Sequence, residues 1–354
     1  MFQTITGQDD AVVQLARALE RPVNTYVFFG SRGTYVEEAA RIFASRLVDP
    51  TGFIDDRVSK SHYADVIEFE PMGVSFRVKE DVRESMLGEF RKSPIEGSKK
   101  VLIVHDAHLL REDSANTLLK SLEEPPDNFF WILIAPSQDS LLATIRSRCY
   151  SIQFSRLTPQ VIEQKLVEEG IEAARAHDVS LSCSGRLDRA RNLSSSFAPL
   201  RTCAKDVVES MSKPASFAAV SARKIVETFD EISSDVIAKN KLEMESIKKD
   251  MKDSGYSDKI AQSIVASAKV RIEAREKRLR HELLYEFLDA LHVSFASRAL
   301  SLSSGAGGKD TAQAVVAGDV INEYRKRLLF NPSELLFLES MLASISLREI
   351  HVNS

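Results

Sequence analysis

Apolar residues in the first part of the chain fall into short blocks, at 24–29, 64–71, 101–104, 129–135 and 150–154, separated by stretches of helical period. Blocks rich in β-branched and aromatic residues predict strands, and repeats of three and four predict helices. Val12, Leu15, Ala16 and Leu19 share one helical face; Ala39, Ala40, Ile42, Phe43 and Leu47 share another, and so do Val82, Met86 and Phe90. Residues 109–110 and 116–122 predict a helix stopped by Pro125-Pro126, because proline cannot continue one. Residues 48–66, with Pro50 and Gly52, predict a loop, and 140–147 a helical turn. Strands that alternate with helices predict a parallel α/β domain over 1–156.

Beyond this point only helical patterns occur. Thr158 and Pro159 make an N-cap and a first helical residue, and breaks at Gly170 and at 182–185 predict a three-helix lid over 157–205. An all-α C-terminal domain is predicted for 206–354. In it Gly255-Tyr256-Ser257 splits a charge-crowded stretch, 239–280, into two helices, and Leu279, Leu283, Phe287, Leu291 and Phe295 keep a four-residue spacing. A Ser/Gly loop at 301–309 follows, and Asn331-Pro332 read as the cap and first residue of a later helix.

Composition narrows the picture. The chain has 354 residues, 44% of them hydrophobic and 28% charged, as in an ordinary globular protein with room for two or three domains. Its net charge of −4 gives no overall basic footprint for nucleic acid, so any DNA contact is local or shared with partners. The basic run Lys269, Arg271, Arg275, Lys277, Arg278 and Arg280 could meet a DNA backbone. It could equally be a solvated helix face balanced by Glu273, Glu276 and Glu282. The three cysteines, Cys149, Cys183 and Cys203, lack zinc-site spacing and suit a reducing cytoplasm. No signal pattern follows Met1 and no long apolar run suggests a membrane span, so a soluble intracellular protein is expected.

The candidate chemistry lies at two strand ends. Strand, glycine turn and helix at Gly30-Ser31-Arg32-Gly33 form the context of a phosphate-binding P-loop, whose lysine neutralises phosphate and whose hydroxyl holds magnesium. In that register Tyr35 takes the second glycine's place, Val36 the lysine's and Glu37 the hydroxyl's. Glu37 would repel a polyphosphate where the motif supplies a cation. The loop is therefore a phosphate site in shape only, or simply a tight turn. At the end of the 101–104 strand, His105 replaces the magnesium-binding Asp, followed by Asp106. His105, Asp106, His108 and Glu123 read as solvated polar residues, with no metal site among them.

Taken together, these motifs resemble bacterial clamp-loader subunits of the AAA+ class, in particular their delta-prime branch. The resemblance rests on residues 2–8, the Gly30–Gly33 turn, 62–71, 100–110, Leu118-Leu119-Lys120-Ser121-Leu122-Glu123-Glu124-Pro125-Pro126 and Ile145-Arg146-Ser147-Arg148-Cys149. Residues 185–190 and 331–342 extend it, and roughly 230–270 stand outside it. The resemblance implies an AAA+ domain with a helical lid and a C-terminal collar for oligomerisation. It also implies a heteropentameric ring with three ATPase subunits and a clamp-opening delta subunit, which loads a sliding clamp on primed DNA.

A subunit of this branch uses no cofactor of its own, and the Arg of its Ser-Arg-Cys motif enters a neighbour's ATP site. Arg148 is accordingly the expected arginine finger, Ser147 and Cys149 hold its turn, and Glu123 and Glu124 support the motif. Arg146 is a weaker candidate. The lid position that presents an arginine to nucleotide carries Asp188 instead, and the zinc module of many relatives is missing from 48–66. An active AAA+ ATPase of the same shape, or a scaffold that kept the fold without a replication role, are the other readings.

Overall fold

The computed structural model describes residues 2–71, 75–195, 198–210, 217–253, 257–302, 309–328 and 333–352. Five strands, β1 (Thr25–Phe29), β2 (Val66–Phe69), β3 (Lys100–Val104), β4 (Phe129–Ala135) and β5 (Tyr150–Gln153), form one parallel sheet in the order β2-β3-β4-β1-β5. Every residue of β1, β3 and β4 is buried, as expected of central parallel strands covered on both faces.

Helices α1 (Asp9–Glu20), α2 (Val36–Val48), α3 (Asp55–Ser59), α4 (Leu87–Phe90), α5 (Glu112–Glu123) and α6 (Ala143–Arg146) accompany the sheet. On one face, Phe43 of α2 meets the edges of Tyr26 and Phe28 at ring separations of 4.8 and 5.6 Å. On the other, Val27, Leu102, Trp131 and Leu133 pack with Leu118 and Leu122 of α5 and with Val82 and Met86. Trp131 also donates its indole N–H to the Ser121 carbonyl at 3.1 Å.

Three local expectations are corrected. Residues 48–66 are not all loop, because Asp55 accepts hydrogen bonds from Ser45 and Arg46 and so pins the short helix α3. Residues 109–122 do not form one helix: a 3-10 turn at Ala107–Leu109 precedes α5, which starts at Glu112. The helix predicted over 78–90 is present but π-wound over Val78–Met86 before α4.

Helices α7 (Pro159–Glu168), α8 (Ala173–Ser182), α9 (Leu187–Ser195) and α10 (Ala198–Ser210) follow. The Thr158 side chain caps α7 by accepting the Val161 N–H. The remaining described helices are α11 (Phe217–Asp253), α12 (Asp258–Leu302), α13 (Lys309–Arg327) and α14 (Glu334–Val352). The Gly255-Tyr256 break, most of the 301–309 loop and the Asn331-Pro332 cap lie outside the described residues. Among the described residues no helix is long and apolar enough to cross a membrane.

The chain forms two compact units. The first comprises Met1–Ser194 with Asn240–Ala274, and the second Ser195–Lys239 with Arg275–Ser354. In the first, the end of α11 and the start of α12 share a small core of Ile247, Met251 and Ala268. Two polar links tie this helix pair to the sheet domain: His62 Nδ1 lies 3.0 Å from Asp250, and Arg271 lies 3.6 Å from Glu68. In the second, Leu283, Phe287 and Leu291 are fully buried, and Arg280 binds Glu334 and Asp230. Arg271 and Arg280 thus spend their charge on carboxylates of their own chain, contrary to a solvated basic face.

Candidate functional site

The loop after β1, where the sequence places the P-loop register, is a tight turn. The Gly30 N–H donates to the Ala135 carbonyl at 3.0 Å, and a side chain at Gly30 would stand 2.8 Å from Cβ of Phe154. Thr34 closes the turn by donating its hydroxyl to the Ser31 carbonyl at 2.7 Å. Gln8 then clips the loop to the β5 exit, with Nε2 donating to the Thr34 and Ser155 carbonyls at 3.0 and 2.6 Å. Tyr35 adopts φ +66° where the motif has its second glycine, a left-handed conformation that costs a non-glycine residue about 1–2 kcal/mol. The loop is therefore a tight strand-to-helix turn held by its own hydrogen bonds.

Its charges are answered internally. Val36, in the lysine's place, is 1% exposed and starts α2 inside the core. Arg32 folds back between two carboxylates, 2.5 Å from Asp106 and 3.4 Å from Glu37. Burial opposes ionisation of both members of the Arg32–Asp106 pair, yet their attraction raises the Arg32 pKa and lowers that of Asp106. The start of α9 closes on the same loop. The Leu187 N–H donates to the Gly33 carbonyl at 3.0 Å, and a Cβ at Gly33 would meet Asp188 Oδ1 at 2.1 Å. Asp188 is held in turn by Arg186 at 2.6 Å.

His105 is not solvated as expected: it is 1% exposed and its Nε2 lies 2.7 Å from Glu68 Oε2. The polar partner comes from the neighbouring strand, which shields the ring from water. Burial disfavours the imidazolium, but the Glu68 hydrogen bond and the nearby Glu70 and Glu37 carboxylates raise the His105 pKa overall. Glu68, buried with a 3%-exposed side chain, also binds Arg41 at 2.9 Å and the Ser61 hydroxyl at 2.9 Å. Burial would push its carboxyl up, but Arg41 and His105 hold it well below the ordinary range. Where a nucleotide site would have a metal-binding carboxylate, the chain thus has an imidazole fixed by an ion-paired glutamate. Asp106 turns away from His105 through a left-handed backbone, φ +49°, to meet Arg32.

Arg148 sits on the turn between α6 and β5. The turn is closed by the Arg148 N–H to the Ile145 carbonyl, Ser147 Oγ to the Thr144 carbonyl and Cys149 Sγ to the Ile145 carbonyl, at 3.0, 3.3 and 3.2 Å. Burial pushes the Cys149 thiol up to about 12, with Arg148 opposing weakly, so it stays a neutral packing group at neutral pH. The Arg148 guanidinium is one-third exposed; it binds Glu123 at the end of α5, the Thr144 carbonyl and Ser147 Oγ. Arg146 instead reaches the Gln138 carbonyl at 3.0 Å. Glu124 is exposed, and its N–H closes the helix end on Lys120. Of the motif carboxylates, then, Glu123 meets Arg148 and Glu124 does not.

Sequence reasoning missed Glu68, Arg41, Arg32 and Gln8. A signal existed for Glu68, because it shares a strand face with the buried Val66, and an acid on a buried face needs cations. No local pattern points to Arg41 or Arg271 as those cations.

A family model described as DNA polymerase III, delta subunit, matches residues 7–158. The chain is 31% identical over 160 residues to DNA polymerase III subunit delta' of Bacillus subtilis, covering 43% of this chain and 48% of that protein. Over these residues the chain is similar to subunits of DNA polymerase III. Other relatives are subunit tau/gamma of Haemophilus influenzae, at 32% over 177 residues, with 47% of this chain and 25% of that protein covered, and subunit tau of Escherichia coli, at 29% over 188 residues, with 50% and 29% covered. The chain spans less than half the length of these relatives. Among solved structures, a gamma subunit-related protein from Thermotoga maritima aligns over 96% of this chain and 100% of its own, with 15% identity and a TM-score of 0.44.

Proposed function

We propose that this chain is a delta-prime-like clamp-loader subunit that hydrolyses no ATP itself and lends Arg148 to the ATP site of an adjacent ATPase subunit. The observation that carries this reading is Arg32. It is the loop's own cation, and it is bound between Asp106 and Glu37, while Val36 is buried where a lysine would meet phosphate. Entry of a polyphosphate would have to break those pairs and then face both carboxylates.

Arg148 is differently placed. It is partly exposed and held by a single carboxylate that a phosphoryl group could replace. A planar, permanently charged guanidinium suits the charge spread over a transferring phosphoryl, and such a finger is worth about 10³–10⁵ in rate. The same reading takes 1–156 as the AAA+ domain, 157–205 as a lid and 206–354 as a collar. Its partners are the ATPase subunits and the clamp-opening delta subunit, and through them the sliding clamp and primed DNA. Several relatives are tau or gamma subunits, so an active ATPase is the competing reading.

Two measurements decide. The isolated chain titrated with Mg-ATP is expected to show no saturable binding tighter than about 1 mM; micromolar binding with turnover would favour the active ATPase. In the assembled complex, Arg148→Ala is expected to slow hydrolysis at the adjacent site by about 10³. Undiminished DNA-stimulated hydrolysis in an intact complex would refute the finger.

A further inference from the structure

The outer edge of β2 opens onto two adjoining cavities, of about 410 and 450 Å³, both within the first unit. β2 is the last strand of the sheet on that side. Consecutive residues Val66, Ile67 and Glu68 line the first cavity, and Glu68, Phe69 and Glu70 the second. Side chains of a strand alternate between faces, so a consecutive run borders a groove that runs along the strand's open edge. Glu68 agrees, being half-buried as a residue although its side chain is 3% exposed. Val101 N–H donates to the Asp65 carbonyl and His105 N–H to the Phe69 carbonyl, so the odd-numbered residues of β2 face β3. The Val66 carbonyl and both main-chain groups of Glu68 therefore point outward, into the groove, while the Val66 N–H is taken by the Tyr63 carbonyl at 3.3 Å.

The opposite wall is α12, which presents Ile264, Ser267, Ala268 and Arg271 at helical spacing. Small side chains at Ser267 and Ala268 keep the wall away from the strand. Ile95 and Val270 leave apolar surface in the groove, at 44% and 41% exposure. Arg271 lines both cavities with its side chain 6% exposed, and its buried Nε has no hydrogen-bond partner.

Charge narrows the occupant. The groove's three cations are already paired, Arg77 with Asp81, Lys92 with Glu89 and Arg271 with Glu243. Glu80 and Glu84, exposed on the rim of the second cavity, have no ion-pair partner among the described residues. We propose that this groove binds an extended segment of a partner protein, with apolar and basic residues alternating, as an added strand on the free edge of β2. Its main chain pairs with the Val66 carbonyl and with the N–H and carbonyl of Glu68. Its apolar side chains lie against Ile95, Ile264 and Val270, and its basic ones meet Glu80 and Glu84. β2 has four residues, so the pairing extends over about 13 Å at the usual rise per residue.

The test is selection of a displayed library of random decapeptides on the full chain, with Ser267→Trp, which fills the groove, as the counter-selection. Enrichment of sequences alternating apolar and basic residues is expected. A synthetic peptide from that set should lose at least tenfold in affinity when alternate amides are N-methylated, and similarly against the chain carrying Glu80→Lys and Glu84→Lys. Those two surface changes leave the core intact and so serve if Ser267→Trp fails to fold. No enrichment over the plugged chain, enrichment of acidic sequences, or affinity indifferent to N-methylation would overturn the proposal. So would self-association abolished by the same rim changes, which would mean that a second copy fills the groove.

Discussion

Removing the charge of Glu68 would leave Arg41 and Arg271 facing a neutral amide inside the protein. Breaking a buried pair by deleting one partner costs about 3–5 kcal/mol, so Glu68→Gln is expected to lower the urea-unfolding free energy by that amount. Its partner His105 adds a pH signature. The folded-state pKa of His105 lies above its ordinary value of about 6.5, so the stability it contributes is whole below that pH and is lost as pH rises through the folded pKa. Glu68 works in the opposite direction. Its carboxyl is depressed, so its contribution is whole above about pH 4.3 and is lost as pH falls through its folded value. Unfolding free energies measured from pH 6 upward should fall in the wild type by at most about 1.4 kcal/mol per pH unit, and that slope should be missing in His105→Asn. An identical slope in both proteins would mean that the imidazole is neutral throughout.

The loop from Gly30 to Tyr35 is closed by its own chain, and Gly33 is where that closure can be tested. At φ +72° a Cβ there is strained by the backbone alone, and it would also stand 2.6 Å from the Asp188 main-chain nitrogen. Gly33→Ala is expected to destabilise by about 1–3 kcal/mol in thermal unfolding. Adding Asp188→Ala should recover only part of the loss, because the side chain can be removed but the main chain of α9 cannot. Full recovery would show that the contact is a side-chain matter and that α9 does not cap the loop. That the loop lacks the motif's lysine and hydroxyl was legible in Val36 and Glu37, since local residue type decides it. The cap was not, because it depends on Leu187 and Asp188, far along the chain. The strands were legible for the same local reason, as β1 and β3 are apolar after Thr25 and Lys100 and β4 is apolar throughout. His105 was misread because its environment is set by Glu68 on a neighbouring strand, and strand order is not written in either segment.

The division of the chain into units was the least legible feature, because residues 240–274 join the first unit across the intervening Ser195–Lys239, which belongs to the second. Their charge suggested a solvated stretch. In the structure Arg271 and Asp250 use that charge to reach Glu68 and His62, and Ile247, Met251 and Ala268 supply an apolar core. The first unit is therefore completed by a part of the chain that arrives only after the second unit has begun. A protease site inserted after Ser195 would yield two fragments, one ending there and the other carrying 240–274. Both fragments are expected to elute together after cleavage under native conditions, since the C-terminal one still contributes the helix pair packed on the sheet domain, and to separate in urea. Arg271→Ala should weaken that association at least tenfold, because it leaves a buried carboxylate short of one cation, a loss of at least about 1.4 kcal/mol. Fragments that part on cleavage alone would show that the helix pair adds nothing to the first unit, and the groove along β2 would then lack its second wall.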